Sequence, residues 1–234
     1  MPNLTSPCPV PSTRSTRHHP LRAEVTDTVP CQLYLISPLD VGGNFPEQLE
    51  FALAAGPVAA FQFRVKDIGA DEAAALAEPL KAICDKHDVA FIVNDDVALA
   101  KRLEADGVHL GQSDDDLKYA RAQLGDQAQI GITCHDSRHL AMEAGEGGAN
   151  YVAFGAFFPT QTKETQYRAD FDLLHWWSNI MEIPCVAIGG ITPDNCQPLI
   201  DAGADFLAVS SSVWNDPKGP AHAVERFTEI LSQS

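Results

Sequence analysis

The sequence predicts an α/β fold, a single (β/α)8 TIM barrel preceded by a disordered N-terminal extension. Three observations lead there. The chain has 234 residues, near the roughly 250 of an eight-fold barrel. Short β-rich runs alternate with longer helical segments, eight of each, at a spacing of about 25 residues. The polar residues that need explaining collect just after the β-rich runs, at the end of a barrel where loops do chemistry.

Each unit has its own justification. The first strand is predicted at 32–36 (QLYLI) and its helix at 46–55, stopped by Gly56. The second strand, 59–63, is nearly all apolar, as a strand buried on both faces should be. Its helix, 71–88, is alanine-rich, and Asp71 is a candidate cap. The third pair is 90–93 and 97–104, and the fourth is 107–110 and 117–124, with Asp115 and Asp116 suited to the positive start of that helix. The fifth strand, 129–133, leads to a helix over 137–145 with Ser137 to cap it and Gly145 to stop it. The sixth strand, 151–154, leads to 171–180, where one of Trp176 and Trp177 packs on the barrel and the other lies at the surface. The last pairs are 185–188 with 195–202, stopped by Gly203, and 206–209 with 221–231. A doubly wound open sheet would more naturally carry a glycine-rich turn after its first strand, and Ser37-Pro38 stands there instead.

Two domains of unlike composition follow: a tail over 1–30 and the barrel over 31–234. The tail holds six prolines, several Ser and Thr and three arginines, with no apolar periodicity. It lacks the apolar core of a secretory signal. The chain carries 16 basic and 32 acidic residues, a net charge of −16. That excludes nucleic acid as a partner, since a phosphate backbone needs a basic face. No apolar run approaches the ~20 residues of a membrane span. Six cysteines, none spaced C-x-x-C, read as buried small hydrophobes in a reducing, cytoplasmic setting. A homodimer or a monomer is expected, dimers being common among barrels of this size.

Charged groups at the strand ends point to anionic ligands. After the second strand, alternation places Gln62, Arg64 and Lys66 on one face. Asn94 and Asp95 follow the third strand and Asp114 the fourth. Two carboxylates on neighbouring strand ends suit Mg²⁺, which prefers oxygen ligands and keeps water and substrate phosphates in its shell. The sixth strand leads into a glycine-hinged loop, 155–163, carrying Thr160, Thr162 and Lys163, a plausible anion clamp. Gly189-Gly190 and Val209-Ser210 follow the last two strands, where barrels of this kind hold phosphate. His109, within an apolar strand, reads as a core residue. His135 and His139 lack a third metal ligand. The mouth therefore combines cations, a carboxylate pair and a separate phosphate cradle, which suits two small phosphorylated substrates.

These motifs in this order are QFRVKD (62–67), VNDD (93–96), DGVHLGQSD (106–114), FPTQTK (158–163), IGGI (188–191) and AVSS (208–211). The set resembles the thiamine-phosphate synthase family from about Cys31 to the C-terminus. The resemblance implies a transferase that joins a pyrimidine methyl diphosphate to a thiazole phosphate and releases diphosphate. It implies that Arg64, Lys66, Asn94 and Lys163 hold the diphosphate, with Mg²⁺ on Asp95 and Asp114. Gln62 and Thr133 would face the pyrimidine. Thr160, Thr162, Gly190, Val209 and Ser210 would hold the thiazole phosphate. Thr133 stands where the family usually has Ser, Cys134-His135-Asp136 replaces small residues, and Gly155-Ala156 replaces Gly-Pro. The related thiazole tautomerases share the fold without needing the diphosphate cations or the carboxylate pair, both of which this chain retains. A non-catalytic paralogue that binds a thiamine precursor is the other alternative.

Overall fold

The computed structural model describes residues 30–160 and 166–233. The tail expectation falls on residues outside these, apart from Pro30. Eight parallel strands close into a barrel in sequence order. They are β1 (Gln32–Ile36), β2 (Ala60–Phe63), β3 (Ala90–Asn94), β4 (Gly107–Leu110), β5 (Gln129–His135), β6 (Tyr151–Gly155), β7 (Cys185–Ile188) and β8 (Phe206–Val209). Closure runs through β1 and β8, where Tyr34 pairs with Ala208 and Leu35 with Val209. That pairing removes the open-sheet alternative, because a doubly wound sheet keeps two free edges.

The helices around the barrel are α1 (Phe45–Ala54), α2 (Ala70–Lys86), α3 (Val97–Arg102), α4 (Leu117–Leu124), α5 (Arg138–Glu146), α6 (Phe171–Ile180), α7 (Gln197–Asp201) and α9 (Pro220–Leu231), with a one-turn α8 (Ser211–Trp214) after β8. At four residues α8 is too short to show a helical period in the sequence. Asp71 does not cap α2; Gly69 takes that position, leaving Asp71 within the first turn, where it favours the dipole and pairs with Arg102 at 2.7 Å. Gly145 does not stop α5, which runs on to Glu146, whereas Ser137 caps its start by accepting from the Leu140 N–H. Asp96 and Asp116 cap α3 and α4 in the same way. Among the described residues no helix is long and apolar enough to cross a membrane.

Alternation along the strands divides the apolar side chains into two cores. Leu33, Leu35, Phe61, Phe63, Phe91 and Val108 point outward and pack under the helices. Tyr34, Ile36, Ile92, Tyr151, Val186 and Phe206 point inward and fill the barrel. Trp177 is fully buried against Phe154, and its Nε1 donates to Ile183 O at 2.7 Å. Trp176 lies nearer the surface, with the Arg138 guanidinium 4.8 Å from its ring centre. The five described cysteines are buried and free of disulfides. Burial pushes the Cys31 and Cys134 thiols up to about 12, so they stay protonated at neutral pH.

The N-terminal end of the barrel carries a repeated clasp. Asp106, Asn150 and Asp205 each precede an even-numbered strand. Each donates its N–H to a carbonyl at the start of the preceding strand, on Phe91, Ile130 and Cys185 respectively. Each side chain then accepts the N–H of that same residue, at 2.7, 2.8 and 2.7 Å. The reciprocal pair satisfies strand-end groups that would otherwise be buried without partners.

Candidate active site

At the opposite end a cavity of about 420 Å³ opens between the C-terminal ends of the strands. Of the residues the sequence singled out, Gln62, Arg64, Asn94, Thr133, Thr160, Gly190, Val209 and Ser210 line it. Lys66, Asp95 and Asp114 are not among the lining residues and sit to one side as a group. Thr162 and Lys163 lie outside the described residues.

Strand β2 delivers the first set. Gln62 is buried within the barrel, and Arg64 stands two residues on, in the same direction. Ser37, which follows β1, fixes the Arg64 backbone. Its Oγ accepts the Arg64 N–H at 2.9 Å and lies 3.1 Å from Arg64 O. Among the described residues Ser37 is one of three buried polar residues.

Asp95 follows β3 in the left-handed region, with φ 66°, and its N–H donates to His109 O on β4. Asp114 is held by the turn after β4, its Oδ2 accepting the Gly111 N–H at 2.7 Å. The two carboxyls share a hydrogen bond. Desolvation, then Asp114, pushes the Asp95 carboxyl up to about 6, against the pull of Lys66 and Arg64. The Lys66 ammonium lies 4.0 Å from Asp95 Oδ2. Asp115 and Asp116 belong to the start of α4, with Asp116 as its cap, so only Asp114 of that acidic run turns to the site.

The opposite wall is backbone. Gly189 and Gly190 have φ 105° and 63°, and a Cβ on Gly190 would run into Pro159 O and Phe158. Only glycine allows the β7 end to approach the β6 loop this closely. The base of that loop is tied to β7, Phe157 and Phe158 donating to Ile188 O and Gly189 O at 3.1 Å each. Ala156 closes it further by pairing with Tyr167 and Ala169. Beyond β8, the Trp214 indole of α8 donates to Ile36 O at 2.6 Å. Ser212 Oγ faces the same cavity and, among the described residues, is the buried side-chain polar atom without a partner. An orphaned hydroxyl in a cavity that two positive-φ glycines also line is the arrangement an anion would complete.

His109, His135 and Tyr167 also line the cavity and were not assigned to the site from sequence. His109 is buried, as expected, yet both ring nitrogens are bonded, Nε2 to Thr133 Oγ1 at 2.8 Å and Nδ1 to Tyr151 Oη at 3.1 Å. The register shifts between Thr133 and His135 on β5, and His135 takes φ 54°. Its ring then stacks on Tyr167 at 4.1 Å between centroids, over the cavity. A bulge of this kind leaves no mark in apolar periodicity. His139 points away, exposed beside Glu143.

The thiamine monophosphate synthase family model matches residues 33–213. A thiamine-phosphate synthase of Erythrobacter litoralis is 67% identical over 208 residues, 87% of this chain and 97% of the relative. One from Rhodospirillum centenum is 52% identical over 202 residues, 86% of this chain and 98% of the relative. Among solved structures, the thiamine phosphate pyrophosphorylase of Pyrococcus furiosus superposes with a TM-score of 0.77 at 30% identity, covering 86% of this chain and 96% of the other. A barrel mouth with a cationic wall, a carboxylate pair and a glycine cradle, matched at this identity over nearly all of the described chain, makes this protein a member of the thiamine monophosphate synthase family.

Proposed function

We propose that this protein condenses 4-amino-2-methyl-5-(diphosphomethyl)pyrimidine with a thiazole phosphate, giving thiamine phosphate and diphosphate. The observation that carries this reading is the pairing, in one cavity, of a cationic side and a backbone cradle. Arg64 and Asn94 line one wall and Gly190, Ser210 and the orphaned Ser212 hydroxyl the other. Two phosphorylated groups can then be held apart while their reacting atoms meet between them.

In this reading Arg64 and Lys66 neutralise the leaving diphosphate and Asn94 hydrogen-bonds to it, and Gly190, Val209 and Ser210 hold the thiazole phosphate with Thr160. Electrons from the 4-amino group help break the methylene carbon–oxygen bond, and diphosphate leaves with the bonding pair. The thiazole nitrogen lone pair then forms the new carbon–nitrogen bond. No proton need move in the bond-making step, which is consistent with the absence of an acid–base couple from the motif set. The chain's own task is to orient both rings and stabilise charge on the departing oxygen.

The residues at the rim fit Mg²⁺. Two carboxyls that share a hydrogen bond, one of them held well above its ordinary range, are a pair short of a positive charge. Two protein ligands suit Mg²⁺, which takes the rest of its shell from water and substrate phosphate; a cluster of three or more His, Cys, Asp or Glu is absent among the described residues. Bound there, it would draw negative charge from the diphosphate oxygens. The protein is read as a cytoplasmic enzyme acting on small soluble substrates.

The test incubates purified protein with both phosphates and Mg²⁺ and follows thiamine phosphate and diphosphate together. Equal amounts of the two products are expected. Binding of either substrate without product would overturn the assignment.

A further inference from the structure

Five side chains from five strands form one hydrogen-bonded chain across the barrel interior. Gln62 Nε2 donates to Tyr34 Oη at 2.9 Å. Tyr34 Oη lies 3.0 Å from Tyr151 Oη. Tyr151 Oη lies 3.1 Å from His109 Nδ1, and His109 Nε2 lies 2.8 Å from Thr133 Oγ1. The two ends, Gln62 and Thr133, line the cavity, whereas Tyr151 sits beneath it. The middle of the chain is rigid. Tyr151 stacks on His109 at 5.6 Å and meets Tyr34 edge-on at 6.1 Å. A Cβ on Gly131 would run into the Tyr151 ring, so a glycine on β5 makes its seat.

Every middle member is neutral. Burial pushes Tyr34 up to about 12 and His109 down to about 4. Each hydroxyl then has one proton to donate, and the imidazole has one N–H and one bare nitrogen. Such a chain can be ordered in only two senses. With the Gln62 amide donating to Tyr34, Tyr34 donates to Tyr151 and Tyr151 donates to Nδ1. The Nε2–H then donates to Thr133, whose own proton is left for the cavity, while Gln62 offers its oxygen. In the opposite sense every donor becomes an acceptor, and Gln62 offers its amino group.

We propose that Tyr34, Tyr151 and His109 are positioning residues that couple Gln62 to Thr133, so that the barrel presents an acceptor at Gln62 whenever it presents a donor at Thr133. The ligand chemistry this selects is an edge with a donor toward Gln62 and an acceptor toward Thr133. An aminopyrimidine, with its exocyclic amino group and unprotonated ring nitrogens, has both. A ring offering two donors, or two acceptors, would leave one buried end unpaired, which is costly in a site of low polarity. This assignment rests on the pyrimidine role proposed above, but the hydrogen-bond order belongs to the protein alone.

The test reads the His109 tautomer by nitrogen-15 NMR of histidine-labelled protein, with the His109→Gln variant giving the assignment. The wild type is expected to show one tautomer, protonated at Nε2. Tyr151→Phe keeps the ring over Gly131 and removes the proton donated to Nδ1, so a mixture with the Nδ1–H form is expected. Gln62→Glu, titrated over pH 6–9, should move the proton to Nδ1 once its carboxylate ionises, three residues away along the chain. In the same Tyr151→Phe protein, KM for the pyrimidine diphosphate should rise about tenfold, with kcat and KM for the thiazole phosphate within about twofold of wild type. An Nδ1–H wild type, or one tautomer common to all three proteins, overturns the proposal. So does a Tyr151→Phe variant with an altered tautomer and an unchanged pyrimidine KM. If the wild type makes no thiamine phosphate, the functional reading fails, and the tautomers still decide the coupling.

Discussion

The Asp95 and Asp114 carboxyls share a hydrogen bond between the end of β3 and the turn after β4, and Asp95 is held up to about 6 in consequence of burial and of that neighbour. Two groups that repel when both are ionised are stable side by side only with a proton or a cation between them. Asp114→Asn keeps the shape and removes one charge. Turnover should fall at least about tenfold and the Mg²⁺ concentration for half-maximal rate should rise, read from initial rates across a Mg²⁺ series. An unchanged Mg²⁺ requirement would remove Asp114 from the metal assignment.

Gly190→Ala tests the backbone cradle. The added methyl meets Pro159 O and Phe158, and φ 63° is unfavourable for alanine. KM for the thiazole phosphate should rise at least about tenfold, with the pyrimidine diphosphate KM much less affected. Two-substrate kinetics separate the effects, and an equal rise in both would mean that the variant has damaged the whole mouth.

The buried imidazole also makes stability depend on pH. His109 is depressed to about 4 when folded, below its ordinary value of about 6.5. The unfolded chain therefore binds a proton that the folded one refuses as pH falls below about 6.5. The contribution is fully present above that pH and is lost on the way down to about 4, amounting to about 2 kcal/mol at pH 5. Asp95, raised when folded, works in the opposite direction over part of this range, so a comparison of two proteins is needed. Urea unfolding of wild type and His109→Gln at pH 7.5 and pH 5 should show the wild type losing about 2 kcal/mol more than the variant. Parallel losses would mean that the imidazole titrates normally.

Asn150→Ala removes one clasp. Asn150 Oδ1 accepts from the Ile130 N–H at 2.8 Å and from Arg121 Nη2 at 2.6 Å. Losing it leaves the Ile130 N–H without its acceptor, while the Arg121 guanidinium keeps the carbonyls of Gly125 and Ala128, at a cost of about 1–3 kcal/mol in urea unfolding. Because the clasp lies at the far end from the cavity, kcat and both KM values should stay within about twofold. A large kinetic change with unchanged stability would contradict that separation.

Strand positions were legible because buried parallel strands write short apolar runs, and β1, β4, α4, α6, β7 and β8 have the predicted bounds. The alternation through Gln62 and Arg64 was legible for the same reason, since period two is a property of the strand itself. The clasps were not, because an Asp or Asn before a strand looks like any turn residue until the preceding strand lies beside it. His109 was correctly placed in the core, but Tyr151 and Thr133, which bond it, come from other strands. Asp114 was separable from Asp115 and Asp116 because those two suit the start of α4, but the turn at Gly111 that holds it was not legible. His135 entered the site through a bulge and a positive φ, and a single sequence records neither.

The clasps also have an evolutionary consequence. They tie β3 to β4, β5 to β6 and β7 to β8, so much of the barrel is assembled from two-strand modules, each latched at its own base. A module latched independently of its mouth loops can accept a new loop without loosening its neighbours. The register shift at 133–135 and the glycine turn at 155–156 both lie at the strand ends of one such module, β5–β6. Change can then accumulate unit by unit, leaving the cationic wall built on the early strands untouched.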